Sequence, residues 1–305
     1  MSQQYPEWIW QNGAIKPWPE ATVHVMAHAL HYGSSVFEGI RSYATPDGAA
    51  IFRLTDHLKR LYMSAKIYDI VIPYSIDELA AACREVVKKN GLAAAYLRPV
   101  AFRGLGGFGL SAECPTDTAV AAWPMGPYLG PEALKQGIDA CVSSWQRFAP
   151  NTIPAGAKAG GNYLSGQLIA REARRLGFGE GIALASSGLL SEGAGENLFL
   201  VFDGALHTTP ASASILTGIT RHTLMTLARE EGIDVIERDL PRESLYMADE
   251  ILMCGTAAEV TPIRSVDGKK VGSGAAGPIT RLLQDRFFGL FDGSTADRWG
   301  WLEPL

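Results

Sequence analysis

The spacing of hydrophobic and polar residues changes several times along the chain, and each change marks an element. Near the start, "EWIWQNGAIKP" sets two short β-prone runs around Asn12-Gly13, and "RSYATPDGAAIFR" repeats the device around Pro46-Asp47-Gly48. Asn-Gly and Asp-Gly pairs adopt the left-handed backbone of tight hairpins, so the first 50 residues read as strands joined by turns. The period then lengthens. "TDHLKRLYMSAKI" places Leu58, Leu61, Tyr62 and Ala65 on one face, at the spacing of an amphipathic helix. "SIDELAAACREVVKKNG" opens with Ser75-x-x-Glu78, a capping box, and closes on Asn90-Gly91 after two lysines. Two apolar runs, "AAAYLRPVAFR" and "DTAVAAWP", then read as buried strands.

Glycine and proline crowd into "MGPYLGPEALKQG", residues 125–137, which reads as a linker between domains 1–124 and 138–305. Beyond it, "NYLSGQLIAREARRLG", "GITRHTLMTLAREEG" and "GPITRLLQDRFFGLF" carry helical periodicity. Asp-Gly pairs at 203–204 and 267–268 mark further hairpins. Strands joined mainly by hairpins, with helices interspersed, predict two α+β domains rather than a regular βαβ array.

Composition narrows the function. The 305 residues are 47% hydrophobic and 19% charged, with a net charge of −5 and no basic run. Such a balance offers no field to gather nucleic acid or anionic lipid, and a small metabolite is the expected partner. No apolar stretch is long enough to span a bilayer. The start "MSQQYPEWIWQNG" lacks the basic and apolar regions of a signal peptide. Cys83, Cys114, Cys141 and Cys254 are widely spaced, as thiols of a reducing compartment are, so a cytoplasmic protein is expected.

Two tempting motifs carry less than they suggest. "GLGGFG", 104–109, matches a dinucleotide fingerprint, but proline and strand residues follow it where a helix should begin. A loop at a cleft mouth is expected instead. His24, His28 and His31 would share a helical face, yet only Glu38 is nearby as a further metal ligand, so hydrogen-bonded histidines and no metal are expected.

One lysine is different. Lys158 stands alone among alanines and glycines in "AGAKAGGNY". An amine kept neutral there can hold an aldehyde cofactor as a Schiff base, although a solvated loop lysine is the commoner reading of the residue taken alone. An aldehyde such as pyridoxal phosphate needs a phosphate cup, an acid opposite the ring nitrogen and a donor near the phenolate oxygen. "TGITRHTL" opens a helix with Gly218-Ile219-Thr220, where backbone N–H groups can receive phosphate. "MCGTAAE" supplies a second donor turn after a strand. "SEGAGENLF" carries Glu192 and Glu196 among glycines, Tyr163 follows Lys158 by five residues, and Arg60 is a cation on the first helix.

Taken in order, "HALHYGSSVFEGIRSY", "YLRP", "NTIPAGAKAGGNYLS", "SEGAGENLF", "LTGITR" and "CGTAAEVTPIRSVDG" resemble the successive motifs of the branched-chain amino acid aminotransferases, fold-type IV pyridoxal phosphate enzymes. The resemblance runs from "WIWQNG" to "WGWL". It implies an α+β, D-amino acid aminotransferase-like fold: a small N-terminal α/β sandwich, a C-terminal pseudobarrel carrying the lysine, and the cofactor between them. It also implies that Lys158 binds pyridoxal phosphate and moves the proton between Cα and C4′. Glu192 is then similar to the partner of the pyridine nitrogen, and Tyr163 to the donor at the phenolate. Arg60, Ile219, Thr220 and Thr256 resemble the phosphate cup, Leu216 the residue packed on the ring, and Gly195 and Gly218 complete the cofactor set.

For the substrate, the resemblance implies an apolar wall of Tyr32, Phe37 and Tyr128, with Gly39 and Met125 beside it. Arg98 would pair with the distal carboxylate of glutamate. Tyr96, Thr256 and Ala257 would hold the α-carboxylate. It further implies ping-pong transfer between L-leucine, L-isoleucine or L-valine and 2-oxoglutarate, by a homo-oligomer of two to six subunits with Tyr32 serving a neighbour. Two departures bear on substrate range: Met125 stands where an aromatic is usual, and the loop "FRGLGGFGLSAECPTD" with Arg103 is unlike its counterparts. Rival readings are a D-amino acid or (R)-amine transaminase, aminodeoxychorismate lyase, a nicotinamide dehydrogenase, and a non-catalytic binder of the phosphate ligand.

Overall fold

The computed structural model describes residues 5–126 and 129–305, and these divide into two compact units. The first comprises Met1–Met125, Ala157–Gly161 and Asp297–Leu305, and the second Gly126–Gly156 and Asn162–Ala296. Lys158, expected in the C-terminal domain, therefore packs with the first unit. The physical reason is hydrogen bonding. Ala159 forms a β-bridge with Val36, and the Phe37 N–H donates to the Lys158 carbonyl at 3.0 Å.

In the first unit, β1 (Trp8–Gln11) and β2 (Ala14–Pro17) form the hairpin that Asn12-Gly13 foretold, with φ of 50° and 90° at the turn. The all-strand expectation for the first 50 residues fails at α1 (His28–Tyr32), which is closed by Gly33 at φ 67°. Then come β3 (Ser35–Phe37), β4 (Ile40–Thr45), β5 (Gly48–Phe52), α2 (Leu54–Ile67), α3 (Ile76–Lys89), β6 (Ala95–Arg103) and β7 (Thr116–Trp123). The capping box of α3 is present in both directions between Ser75 and Glu78.

These strands and the last strand of the chain, Leu302–Pro304, make an eight-stranded sheet. On one face, Leu54, Leu58 and Leu61 of α2 and Leu79, Val86 and Val87 of α3 pack against Ile40, Ile51, Leu97 and Val120. Truncating one such leucine to alanine would cost about 2–5 kcal/mol. Alternation along β6 puts Tyr96 and Arg98 on the opposite face from Leu97. In the β6–β7 register Tyr96 lies opposite Trp123 and Arg98 opposite Ala121, while β3 sets Phe37 opposite Val100.

The second unit opens with α4 (Pro131–Gln136), so part of the expected linker is helical. Pro131 at its first position and Gly137 at its end, φ 76°, are ordinary helix signals in a stretch read as a linker for its glycines and prolines. It continues through β8 (Ile138–Val142), α5 (Tyr163–Arg175), β9 (Glu180–Leu184), β10 (Leu190–Gly193), β11 (Asn197–Phe202) and β12 (Ala205–Thr208). The remainder is α6 (Ile219–Glu230), β13 (Val235–Glu237), α7 (Ser244–Met247), β14 (Glu250–Gly255), β15 (Glu259–Val266), β16 (Lys269–Lys270) and α8 (Pro278–Asp292). The nine strands form one sheet of mixed direction, with β8 parallel to both β9 and β15. Ile138, Ile182, Leu198, Leu200, Ile251 and Ile263 anchor its core. Both Asp-Gly pairs turn hairpins as predicted. Among the described residues no helix is long and apolar enough to cross a membrane.

Candidate active site

Lys158 is pinned along its backbone. Its N–H donates to Ser64 Oγ on α2 at 3.0 Å while its carbonyl accepts from Phe37. The small neighbours are required by packing. Ala157 and Ala159 are buried, and a Cβ at Gly160 would lie 2.3 Å from Ser35 Oγ. The half-buried side chain runs over Phe37, with Nζ 5.1 Å from the ring centroid.

Arg60 is held by groups the sequence did not reveal. Glu38 is fully buried and accepts from Arg60 Nε at 2.7 Å, from Arg60 Nη2 at 2.8 Å and bonds His57 Nδ1 at 2.7 Å. Burial alone would push the Glu38 carboxyl up, but Arg60 and His57 together hold it well below the usual carboxylate range. His57 is moved down, mainly by burial, with Glu38 opposing and the charges of Arg60 and Lys158 adding to the shift. A neutral His57 donates to Glu38 through Nδ1–H. Glu38, the nearby candidate for a further metal ligand beside the histidines, is instead the fixed counter-charge of Arg60.

On the same unit, Tyr96, Arg98 and Gly39 are in direct contact. Arg98 Nη2 donates to the Tyr96 hydroxyl at 3.2 Å, and that hydroxyl lies over Gly39, where an added Cβ would sit 1.8 Å away. Tyr32 lies apart, half-exposed at the end of α1, with its ring 4.5 Å from that of His28. Met125 is half-buried after β7, and Tyr128 falls outside the described residues.

The three histidines each have a partner of their own. His28 bonds Ser34 Oγ and the Gly109 carbonyl, His31 the Val25 carbonyl, and His24 the Met26 N–H. Among the described residues no group of three or more possible metal ligands occurs. The "GLGGFG" loop joins β6 to β7 without a helix, fastened by His28.

In the second unit Glu192, on β10, is the centre of a donor cluster. Oε1 meets Arg147 at 2.9 Å, while Oε2 accepts from Asn197 Nδ2 and from the Leu216 N–H, each at 3.1 Å. Arg147 and Asn197 are both buried. The same Asn197 amide donates to the Leu216 carbonyl at 2.8 Å, and its Oδ1 would lie 2.1 Å from a Cβ on Gly218. Glu192, Leu216 and Gly218 are thus drawn together. Gly218 is the N-cap of α6 and provides no side-chain cap hydrogen bond.

Thr256 and Ala257 form the turn between β14 and β15, where Gly255 faces Glu259. A Cβ on Gly255 would be 3.6 Å from the Gly195 carbonyl, so this turn adjoins the glycines after Glu192. Glu196 turns back to accept from the Gly195 N–H at 3.0 Å. Tyr163 begins α5, whose Gly166 lies close enough that a Cβ would meet the Ala194 carbonyl at 2.3 Å. Arg147 and Asn197 escaped the sequence reading. Asn197 could have been found as the polar residue inside "GENLF" at the start of an apolar strand, whereas Arg147 in "SWQRFAP" carries no local signal.

These donors suit pyridoxal phosphate: a carboxylate held by three donors for a ring nitrogen, a backbone helix start for phosphate, and a lysine set in small residues. The amino-transferase class IV profile matches residues 35–266. The branched-chain-amino-acid aminotransferase of Escherichia coli (strain K12) is 57% identical over 307 aligned residues, spanning 100% of this chain and 99% of its own. A crystal structure of the Escherichia coli branched-chain amino acid aminotransferase superposes with a TM-score of 0.97 at 58% identity, covering 98% of this chain and 99% of that one. The branched-chain amino acid aminotransferase from Thermobaculum terrenum, in its PLP-form (holo-form), gives 0.91 at 35% identity, with 99% of each chain covered.

Proposed function

Since this chain belongs to the class IV amino-transferase family, we propose that it is a branched-chain amino acid transaminase, moving the amino group of L-leucine, L-isoleucine or L-valine to 2-oxoglutarate. Its fold is that of the fold-type IV enzymes. The observation that carries the reading is Glu192, a buried carboxylate held by Arg147, Asn197 and a backbone N–H. A carboxylate so fixed would suit the pyridine nitrogen of bound pyridoxal phosphate.

Pyridoxal phosphate, when bound, supplies an electrophilic carbon for the amino group and a sink for the electrons of the Cα–H bond. Lys158 would hold it, and once the substrate amine has displaced Lys158 the freed ε-amine takes the Cα proton and returns it as general base and acid. Tyr163 donates to the phenolate oxygen. Arg60, the N–H groups of Ile219 and Thr220, and the Thr256 hydroxyl hold the phosphate, with Gly195 and Gly218 allowing close approach. Leu216 packs on the ring.

Tyr96 and the Thr256–Ala257 turn hold the α-carboxylate, and Arg98 pairs with the distal carboxylate of glutamate. Phe37, Gly39 and Met125 form the apolar wall, and Tyr32 serves that of a neighbouring subunit. The exposed Val25, Leu30, Phe108 and Leu110 around α1 and the 104–114 loop support a homo-oligomer, dimer to hexamer. Four free thiols fit a cytoplasmic enzyme.

The test is a half-reaction titration. The purified protein should be yellow, lose its visible band on addition of L-leucine, and recover it with 2-oxoglutarate. A preference for D-alanine or an (R)-amine would replace the assignment with a rival of the same fold. A colourless protein that needs added nicotinamide cofactor would overturn it.

A further inference from the structure

Arg98 stands among three aromatic rings. Its guanidinium carbon lies 4.7 Å from the ring centroid of Phe37, 5.3 Å from Tyr96 and 5.9 Å from Trp123. Strand register produces the arrangement. Tyr96 and Trp123 are direct cross-strand partners, with ring centroids 5.2 Å apart, whereas the partner of Arg98 is Ala121. So small a neighbour lets the guanidinium lie between the rings. One Nη2 reaches the Tyr96 hydroxyl, but Nε is buried and has no hydrogen-bond partner among the described residues.

We propose that Trp123 is a specificity-determining residue: with Phe37 and Tyr96 it encloses the Arg98 charge when the substrate side chain is apolar, and yields it to a carboxylate when the side chain is acidic. This rests on the reading of Arg98 as the group that meets the distal carboxylate. With a leucine side chain in the pocket the guanidinium has lost water and gained no anion. The negative faces of the rings are then its main compensation. A carboxylate neutralises the guanidinium, so ring attraction counts for less in that complex. Each ring therefore favours the apolar substrate over the acidic one.

Trp123 is the ring to test. Indole has the strongest π face of the three types. Phe37 also lies beneath Lys158, and Tyr96 bonds Arg98 through its hydroxyl, so replacing either would disturb more than the enclosure. Trp123 comes from β7, the strand after the 104–114 loop, and its place beside Arg98 is set by register rather than by any motif.

Trp123→Leu and Trp123→Phe, both of which keep the surface apolar, are made in the full-length holoenzyme. Single-turnover kcat/KM is measured with L-leucine and L-glutamate, and inhibition constants with 4-methylpentanoate and glutarate. The glutamate-to-leucine ratio should rise about threefold for Trp123→Leu and less for Trp123→Phe, through KM on the leucine side. The glutarate-to-4-methylpentanoate affinity ratio should move the same way. An equal loss on both substrates, or a fall in the ratio, overturns the proposal. Arg98→Met separates it from the reading beneath. If that variant binds glutamate as wild type does, the role of Arg98 itself is wrong. If Arg98→Met loses glutamate while the Trp123 variants leave the ratio unchanged, only the enclosure fails.

Discussion

Gly39→Ala tests whether the substrate face of the first unit is built as described. An alanine methyl there would sit 1.8 Å from the Tyr96 hydroxyl and 2.7 Å from its Cζ. Ordinary contact needs roughly 3.5 Å, so the hydroxyl must retreat by about 1.7 Å. Tyr96 is only 7% exposed and its ring lies against Trp123, so it cannot swing freely. Overpacking of this kind costs about 1–3 kcal/mol of stability. The displaced hydroxyl also leaves Arg98 and the substrate α-carboxylate. Loss of one hydrogen bond to a charged group, about 1.5–3 kcal/mol, lowers kcat/KM by roughly 10- to 150-fold. Both L-leucine and L-glutamate should suffer, because both carry the α-carboxylate. Steady-state kinetics and a thermal melt read the two effects. A variant within about twofold of wild type in kcat/KM, with an unchanged melting temperature, would refute the placement of Tyr96 over Gly39.

Other perturbations reach the remaining parts of the account. Glu180 is buried, and burial together with the charge of Glu196 pushes its carboxyl up to about 8. The native state therefore holds a proton that the unfolded chain releases, so the associated stability is present at acid pH and is lost as pH rises through 8. Glu180→Gln should raise the melting temperature by about 3 °C at pH 9 and leave it unchanged near pH 4; an equal effect at both would refute the titration. Arg147→Gln strips Glu192 of a buried partner and should cost about 3–5 kcal/mol by denaturant unfolding, with faster loss of cofactor on dialysis. Arg147→Gln combined with Glu192→Gln should regain stability without regaining activity, and a double variant as unstable as the single one would contradict the pairing.

Local elements were legible because their signals are local. The hairpin at Asn12-Gly13 needs φ above zero at two neighbouring residues, and the capping box of α3 needs only Ser75 and Glu78. The ordered motifs around Lys158, Glu192 and Thr220 were legible by resemblance. What escaped depends on residues far apart in the chain. Nothing near Arg60 marks Glu38 as its counter-charge, 22 positions earlier, and nothing near Glu192 points to Arg147. The affiliation of residues 157–161 with the first unit is likewise set by a bridge to Val36, which no periodicity in "AGAKAGG" encodes. The helix α4 was missed for a different reason, since glycine and proline serve both linkers and helix ends.

Borohydride reduction of the holoenzyme, followed by digestion and mass spectrometry, tests the role of Lys158 most directly. The pyridoxyl label should fall on Lys158 alone and be absent from the Lys158→Ala variant. A label on any other lysine, or none on a yellow protein, would contradict the account.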